Sequence, residues 1–124
     1  MANELTLSIT VSYAKGNVAS ISRALSSLGI TVSGDVFLHH VQAIGTSEEA
    51  LILGGVTVTG GFAWMKNLDD TNFIEIRSAT GSGNDILKLK AGEACVFRWG
   101  SDVSAPYAIA NTAECDLEYI FWPA

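Results

Sequence analysis

Along most of the chain, apolar and polar residues alternate with a period of two, the spacing of a strand with one face covered and one face wet. The clearest run is the first, where Leu5, Leu7, Ile9, Val11 and Tyr13 alternate with Thr6, Ser8, Thr10 and Ser12. It predicts a strand with one apolar face and one hydroxyl-lined face. Val36 to Ile44 reads as an extended run that is apolar on both faces, and Ala50–Leu53 and Val56–Thr59 as short runs split by Gly54-Gly55. Phe62–Leu68, Phe73–Arg77, Ile86–Lys90, Ala94–Trp99, Tyr107–Ala110 and Cys115–Trp122 complete the series. Within it, Cys95, Phe97 and Trp99 share one face, as do Cys115, Leu117, Tyr119 and Phe121, with Asp116 and Glu118 opposite the latter. Polar connections at 67–72, 81–85, 91–93 and 100–102 carry the Gly, Asn, Asp and Ser that turns favour. Strands this short and this regularly spaced predict an all-β protein: one antiparallel, jelly-roll-like β-sandwich of about 8–10 strands. A single domain over residues 1–124 is expected.

One segment does not follow the rule. Val18, Ile21, Leu25 and Leu28 stand at nearly helical spacing, with serines at 20, 22, 26 and 27 between them. Serines compete for backbone hydrogen bonds and weaken a helix. The segment therefore favours a strand with a long loop over a short helix.

Composition narrows the class. Hydrophobic residues make up 48% of the chain and charged residues 16%, which excludes intrinsic disorder. A mean hydropathy of +0.31 is high for a chain of 13.1 kDa and points to apolar surface covered by another subunit. The net charge is −6, and the seven basic residues are scattered except for Lys88 and Lys90. Neither a phosphate-tracking surface nor a polybasic membrane patch is expected. Cys95 and Cys115 lie in apolar runs and read as buried free thiols, with a bridge between neighbouring strands as the alternative. The first residues lack a basic segment followed by a long apolar one, so assembly in a cytoplasm is expected.

Catalytic signals are sparse. His39-His40, with Glu48-Glu49 downstream, loosely resembles the first cupin metal motif. Adjacent strand residues point to opposite faces, however, and the chain has only two histidines. One histidine is expected at a strand face or subunit interface and the other in solvent. Asp69-Asp70, Glu48-Glu49 and Asp116/Glu118 read as solvated turn and surface acids, and no Gly-x-Ser-x-Gly or phosphate-loop motif is present. Phe62, Trp64, Trp99, Tyr107, Tyr119 and Trp122 read as sandwich core or subunit interface, with a sugar-stacking platform as the alternative. No catalytic residue, metal or cofactor is assigned, and the chain is not expected to be an enzyme.

The order of turns and strands over residues 40–120 carries a resemblance. His40-Val41-Gln42-Ala43-Ile44-Gly45-Thr46-Ser47-Glu48-Glu49 leads into a strand. Gly61 to Ile76 follows, with Lys66-Asn67-Leu68-Asp69 ahead of Thr71-Asn72 and an aromatic strand. Then come Leu87-Lys88-Leu89-Lys90-Ala91-Gly92-Glu93 and Cys115-Asp116-Leu117-Glu118-Tyr119. This order resembles small virion proteins of tailed bacteriophages. The resemblance implies a β-sandwich that decorates or cements a capsid, or forms part of the tail apparatus, with a carbohydrate- or receptor-binding tail module as the alternative. Implied partners are further copies of the chain, with a trimer natural at threefold sites, and the major capsid protein or other virion proteins. Nucleic acid and membrane are not among them, and the expected location is the capsid surface of the virion. Leu5, Leu7, Ile9, Val11 and Tyr13, with the following segment to Ile30 and with His39 and His40, are the expected contact residues.

Overall fold

A computed structural model describes residues 3–124. The chain divides by compactness into two units, one ending at Val32 and one running from Ser33 to Ala124. Among the described residues there are ten strands, every pairing is antiparallel, and the one helical element is a 3-10 turn over Ser82–Asn84.

The first unit is a two-stranded ribbon, β1 (Leu5–Lys15) paired with β2 (Val18–Ile30). Gly16-Asn17 forms the two-residue loop, with Gly16 at φ +49°, the left-handed conformation that tight hairpins require. The segment from Val18 to Ile30 is thus continuous strand, neither a long loop nor a helix. The register explains its odd spacing. Leu7 faces Leu28 and Ile9 faces Leu25, so β2 spends three residues where β1 spends two. That bulge holds Ser27 at φ +54°, and its N–H donates to Ser8 Oγ at 3.0 Å. A spacing of three, which would turn a side chain to the wrong face, is thereby corrected.

The second unit contains two four-stranded sheets. One has the order β3 (Leu38–Ile44), β10 (Cys115–Trp122), β5 (Phe62–Asn67), β8 (Ala94–Arg98). The other has the order β4 (Glu49–Ala50), β9 (Tyr107–Ala110), β6 (Ile74–Arg77), β7 (Asp85–Leu89). The pairs are nested: β6 with β7, β5 with β8, β4 with β9 and β3 with β10. Side chains from both sheets form one buried cluster, including Ile44, Met65, Leu117, Tyr119 and Phe121 from the first and Ile74, Ile76, Leu89 and Ala108 from the second. Trp99, just past β8, packs edge-on against Phe97 and Phe121. The expected strand over Val56–Thr59 is absent: this stretch is irregular, although Val56 and Val58 are buried in the core. Of Ala50–Leu53 only Ala50 is strand. Gly61 sits where a Cβ would collide with the Trp122 carbonyl oxygen, so the approach of that loop to β10 requires glycine.

Buried polar groups tie the layers. Gln42 donates through Nε2 to Glu49 Oε1 (3.0 Å) and the Ala50 carbonyl (3.1 Å), and its Oε1 accepts from the Ile52 N–H (3.0 Å). The Tyr119 hydroxyl lies 2.8 Å from both Gln42 Oε1 and the Ile52 carbonyl oxygen. Burial pushes this phenol up to about 12. Asn67, read as the first residue of a polar connection, is fully buried. It donates to the Asn72 and Leu89 carbonyls and accepts from the Asp69 N–H. Glu48 and Glu49, expected as solvated acids, are structural ties as well. Glu49 Oε2 accepts from the Gly45 N–H, and Glu48 accepts from Arg77 Nη1 and the Gly81 N–H, both at 2.7 Å. Arg77 also reaches Asp85 at 2.6 Å and is itself largely buried.

Two outcomes follow. Replacing Asn67 with Ala strands three backbone groups and is expected to cost about 2–3 kcal/mol. Asn67→Asp sets a carboxylate against two carbonyl oxygens and is expected to cost more; a urea midpoint no lower than that of Asn67→Ala contradicts this account. The second outcome concerns pH. The Arg77 hydrogen bond, and next the Gly81 N–H, hold Glu48 below its usual 4.5, and the Asn72 and Thr71 N–H groups hold Asp69 below its usual 3.8. A lowered folded value stabilises above the unfolded value and is lost as pH falls through the folded one. Tyr119 is the reverse case, its contribution lost as pH rises from 10 towards 12. The urea midpoint is therefore expected to fall below about pH 4.5 and again above about pH 10. Glu48→Gln should flatten only the acid limb.

Candidate functional site

Among the described residues, an apolar surface faces outward on each unit. On the ribbon, cross-strand partners share a face. Leu5 stands beside Ile30, Leu7 beside Leu28, Ile9 beside Leu25, Val11 beside Arg23 and Tyr13 beside Ile21. The opposite face carries Thr6 beside Gly29, Thr10 beside Ala24 and Ser12 beside Ser22. The ribbon is therefore amphipathic, and its apolar face lies largely open towards the hairpin end, as the hydroxyl face does along its length. Ile30 is buried and Leu5, Leu7 and Ile9 are half-buried, but Val11 is 58% and Ile21 56% exposed, and Tyr13, Leu25 and Leu28 are exposed too. Arg23 is the one charge among these five pairs, with Lys15 at the hairpin end of β1, and its Nη1 donates to the Ser22 carbonyl. Both outer edges of the ribbon are unpaired in its two-stranded sheet.

The second surface is the outward face of the sheet β3-β10-β5-β8. Ile120 stands between His39 and Trp64, and Trp64 stands beside Val96. Trp122 is beside Phe62, with ring centroids 6.4 Å apart, and Arg98 lies over the Phe62 ring at 5.6 Å. These aromatic side chains are half-buried. A polar border is supplied by His39 Nε2 at 2.7 Å from Glu118 Oε2, with Lys66 beside Glu118.

The expected contact residues divide between these surfaces. Leu5, Leu7, Ile9, Val11 and Tyr13 do share one face. His39 and His40 do not: His39 is exposed on the outward face, whereas His40 points inward with its ring edge-on to Tyr119 at 5.8 Å. The aromatic group also divides. Trp99 and Tyr119 are core, while Phe62, Trp64 and Trp122 are outward. Ile21, Leu25, Leu28 and Ile30, which belong to the following segment expected to make contact, complete the ribbon face. The signal for their pairing with β1 was the two-residue Gly16-Asn17 loop together with the serine pair at the bulge.

Chemistry is not concentrated at either surface. Among the described residues no group of three or more His, Cys, Asp or Glu could hold a metal ion. The thiols of Cys95 and Cys115 are free and lie on β8 and β10, with β5 between them. Burial pushes Cys95 up to about 11 and raises Cys115, so neither is poised as a thiolate. No protein-family model, curated protein or solved structure matches the chain.

The tryptophans give a direct reading of this division. Trp99 is 2% exposed and Trp64 and Trp122 are partly open. Acrylamide is expected to quench the emission in two classes, one accessible and one protected. Trp64→Phe and Trp122→Phe should each reduce only the accessible class.

Proposed function

We propose that this chain is a structural protein of a virion, a capsid decoration or cement protein that stabilises a bacteriophage head by contact rather than by chemistry. The observation that carries the reading is the open apolar face of the ribbon. An isolated two-stranded hairpin is marginal in water, and one with exposed Val, Tyr, Ile and Leu along one side needs a partner surface to be useful. Its contacts are with further copies of the chain and with the major capsid protein. The sheet orders of the second unit support a rigid scaffold, because nested pairing of eight strands into two four-stranded sheets is the arrangement of a jelly roll, a fold common in capsid proteins. The turn and strand order over residues 40–120, similar to that of small virion proteins, points the same way.

A carbohydrate- or receptor-binding tail module is the second reading, and the outward Phe62, Trp64 and Trp122 favour it. The two readings separate cleanly in phage particles purified from cells that carry the gene. Decoration predicts many copies of the chain per head, loss of those copies in Leu25→Asp, and heads that rupture more readily without them. A few copies on tails, with saturable glycan binding abolished by Trp64→Ala, supports the module instead. Absence from purified particles overturns both.

A further inference from the structure

We infer that the partner covering the ribbon's apolar face is the same face of a second copy of this chain. The inference rests on the reading of the ribbon as an assembly element and specifies what it assembles with. Area is the first argument. Five large apolar side chains, each about half exposed, leave on the order of 400 Å² of apolar surface on one ribbon, as much as the largest patch on a typical monomer. Two such faces closed on each other remove about 800 Å². With the half-buried Leu5, Leu7 and Ile9 added, the total approaches the roughly 1,200 Å² at which specific interfaces begin.

Self-complementarity is the second argument. A twofold contact requires one patch that fits itself. The stripe of five cross-strand pairs holds a single charge, Arg23, and its guanidinium already turns to the Ser22 carbonyl at the ribbon edge. Two copies can therefore meet without burying a carboxylate or an unpaired ammonium, while the hydroxyl faces stay in water. Stacked ribbons form a small four-stranded sandwich about 10 Å thick, the ordinary spacing of packed sheets. Each hairpin then has the second layer that it lacks alone.

The test uses the full chain and follows mass against concentration by light scattering and sedimentation. The wild type is expected to show two or more chains at about 10 µM. Leu25→Asp and Ile21→Asp, which place a carboxylate on the apolar face, should each weaken association at least about tenfold. Arg23→Leu should strengthen it, and Thr10→Asp, on the hydroxyl face, should leave it unchanged. Protected Trp99 emission confirms in each variant that residues 33–124 remain folded. A wild type that stays monomeric up to hundreds of µM overturns the inference. So does a Thr10→Asp variant that dissociates as readily as Leu25→Asp, because that outcome indicates pairing through strand edges. A monomeric wild type that still decorates particles, and loses them on Leu25→Asp, leaves the assembly reading standing with a capsid surface as the occupant. Loss of neither mass nor attachment in Leu25→Asp removes both.

Discussion

The Gln42–Tyr119 junction is the constraint on which residues 33–124 depend. Gln42 belongs to β3 at the border of one sheet, and its amide reaches the segment 49–52 that crosses to the other sheet. Tyr119 comes from the strand beside it and closes the same group of hydrogen bonds from the core side. The side chains at the centre of the junction are buried, so each polar atom needs a partner inside the protein. The two sheets are thereby fixed in register as well as pressed together by apolar contact. Nonpolar packing alone would tolerate sliding; a shared amide and phenol do not.

Alternation does the rest, and it accounts for how much of the structure was legible in the chain. Where one face of a strand is covered and the other faces out, as in β10, the period of two gives the element, its limits and its inward side; in β1 it gives the element and its apolar side. Legibility fails where both faces are apolar. Phe62-Ala63-Trp64-Met65 is such a run, and composition cannot say that Ala63 and Met65 face the core while Phe62 and Trp64 face out. The decision is made by the neighbours: Trp122 and Arg98 stand beside Phe62, and Tyr119 and Cys95 beside Met65.

Two other failures have equally local causes. In β2 the bulge at Ser27 and a second register shift opposite Tyr13 and Lys15 break the period, so a strand imitates helical spacing. Around residue 67 a polar string looked like an ordinary turn, yet its first member fills a buried position and supplies backbone partners that the turn itself lacks. Turn composition records which residues tolerate a bend; it does not record which of them is pulled inside. The surfaces were half-visible for the same reason. The β1 stripe stood out by its hydroxyl alternation, whereas the segment to Ile30 was expected to make contact without its pairing to β1 being legible across the bulge.

The nesting of strands also sets an order of events during synthesis. The ribbon closes through neighbours in sequence and can form once residue 30 has left the ribosome. The sheet containing β3 and β5 cannot, because β10 lies between them and ends at Trp122. Until then β3 and β5 lack the strand that joins them, and the contacts that complete the body span nearly eighty residues, a topology that folds slowly. A nascent chain therefore completes its amphipathic ribbon before its two-sheet body. Were two copies to pair through their ribbons as inferred above, neighbouring chains on a polysome could meet before either had finished folding, and pairing could begin ahead of release.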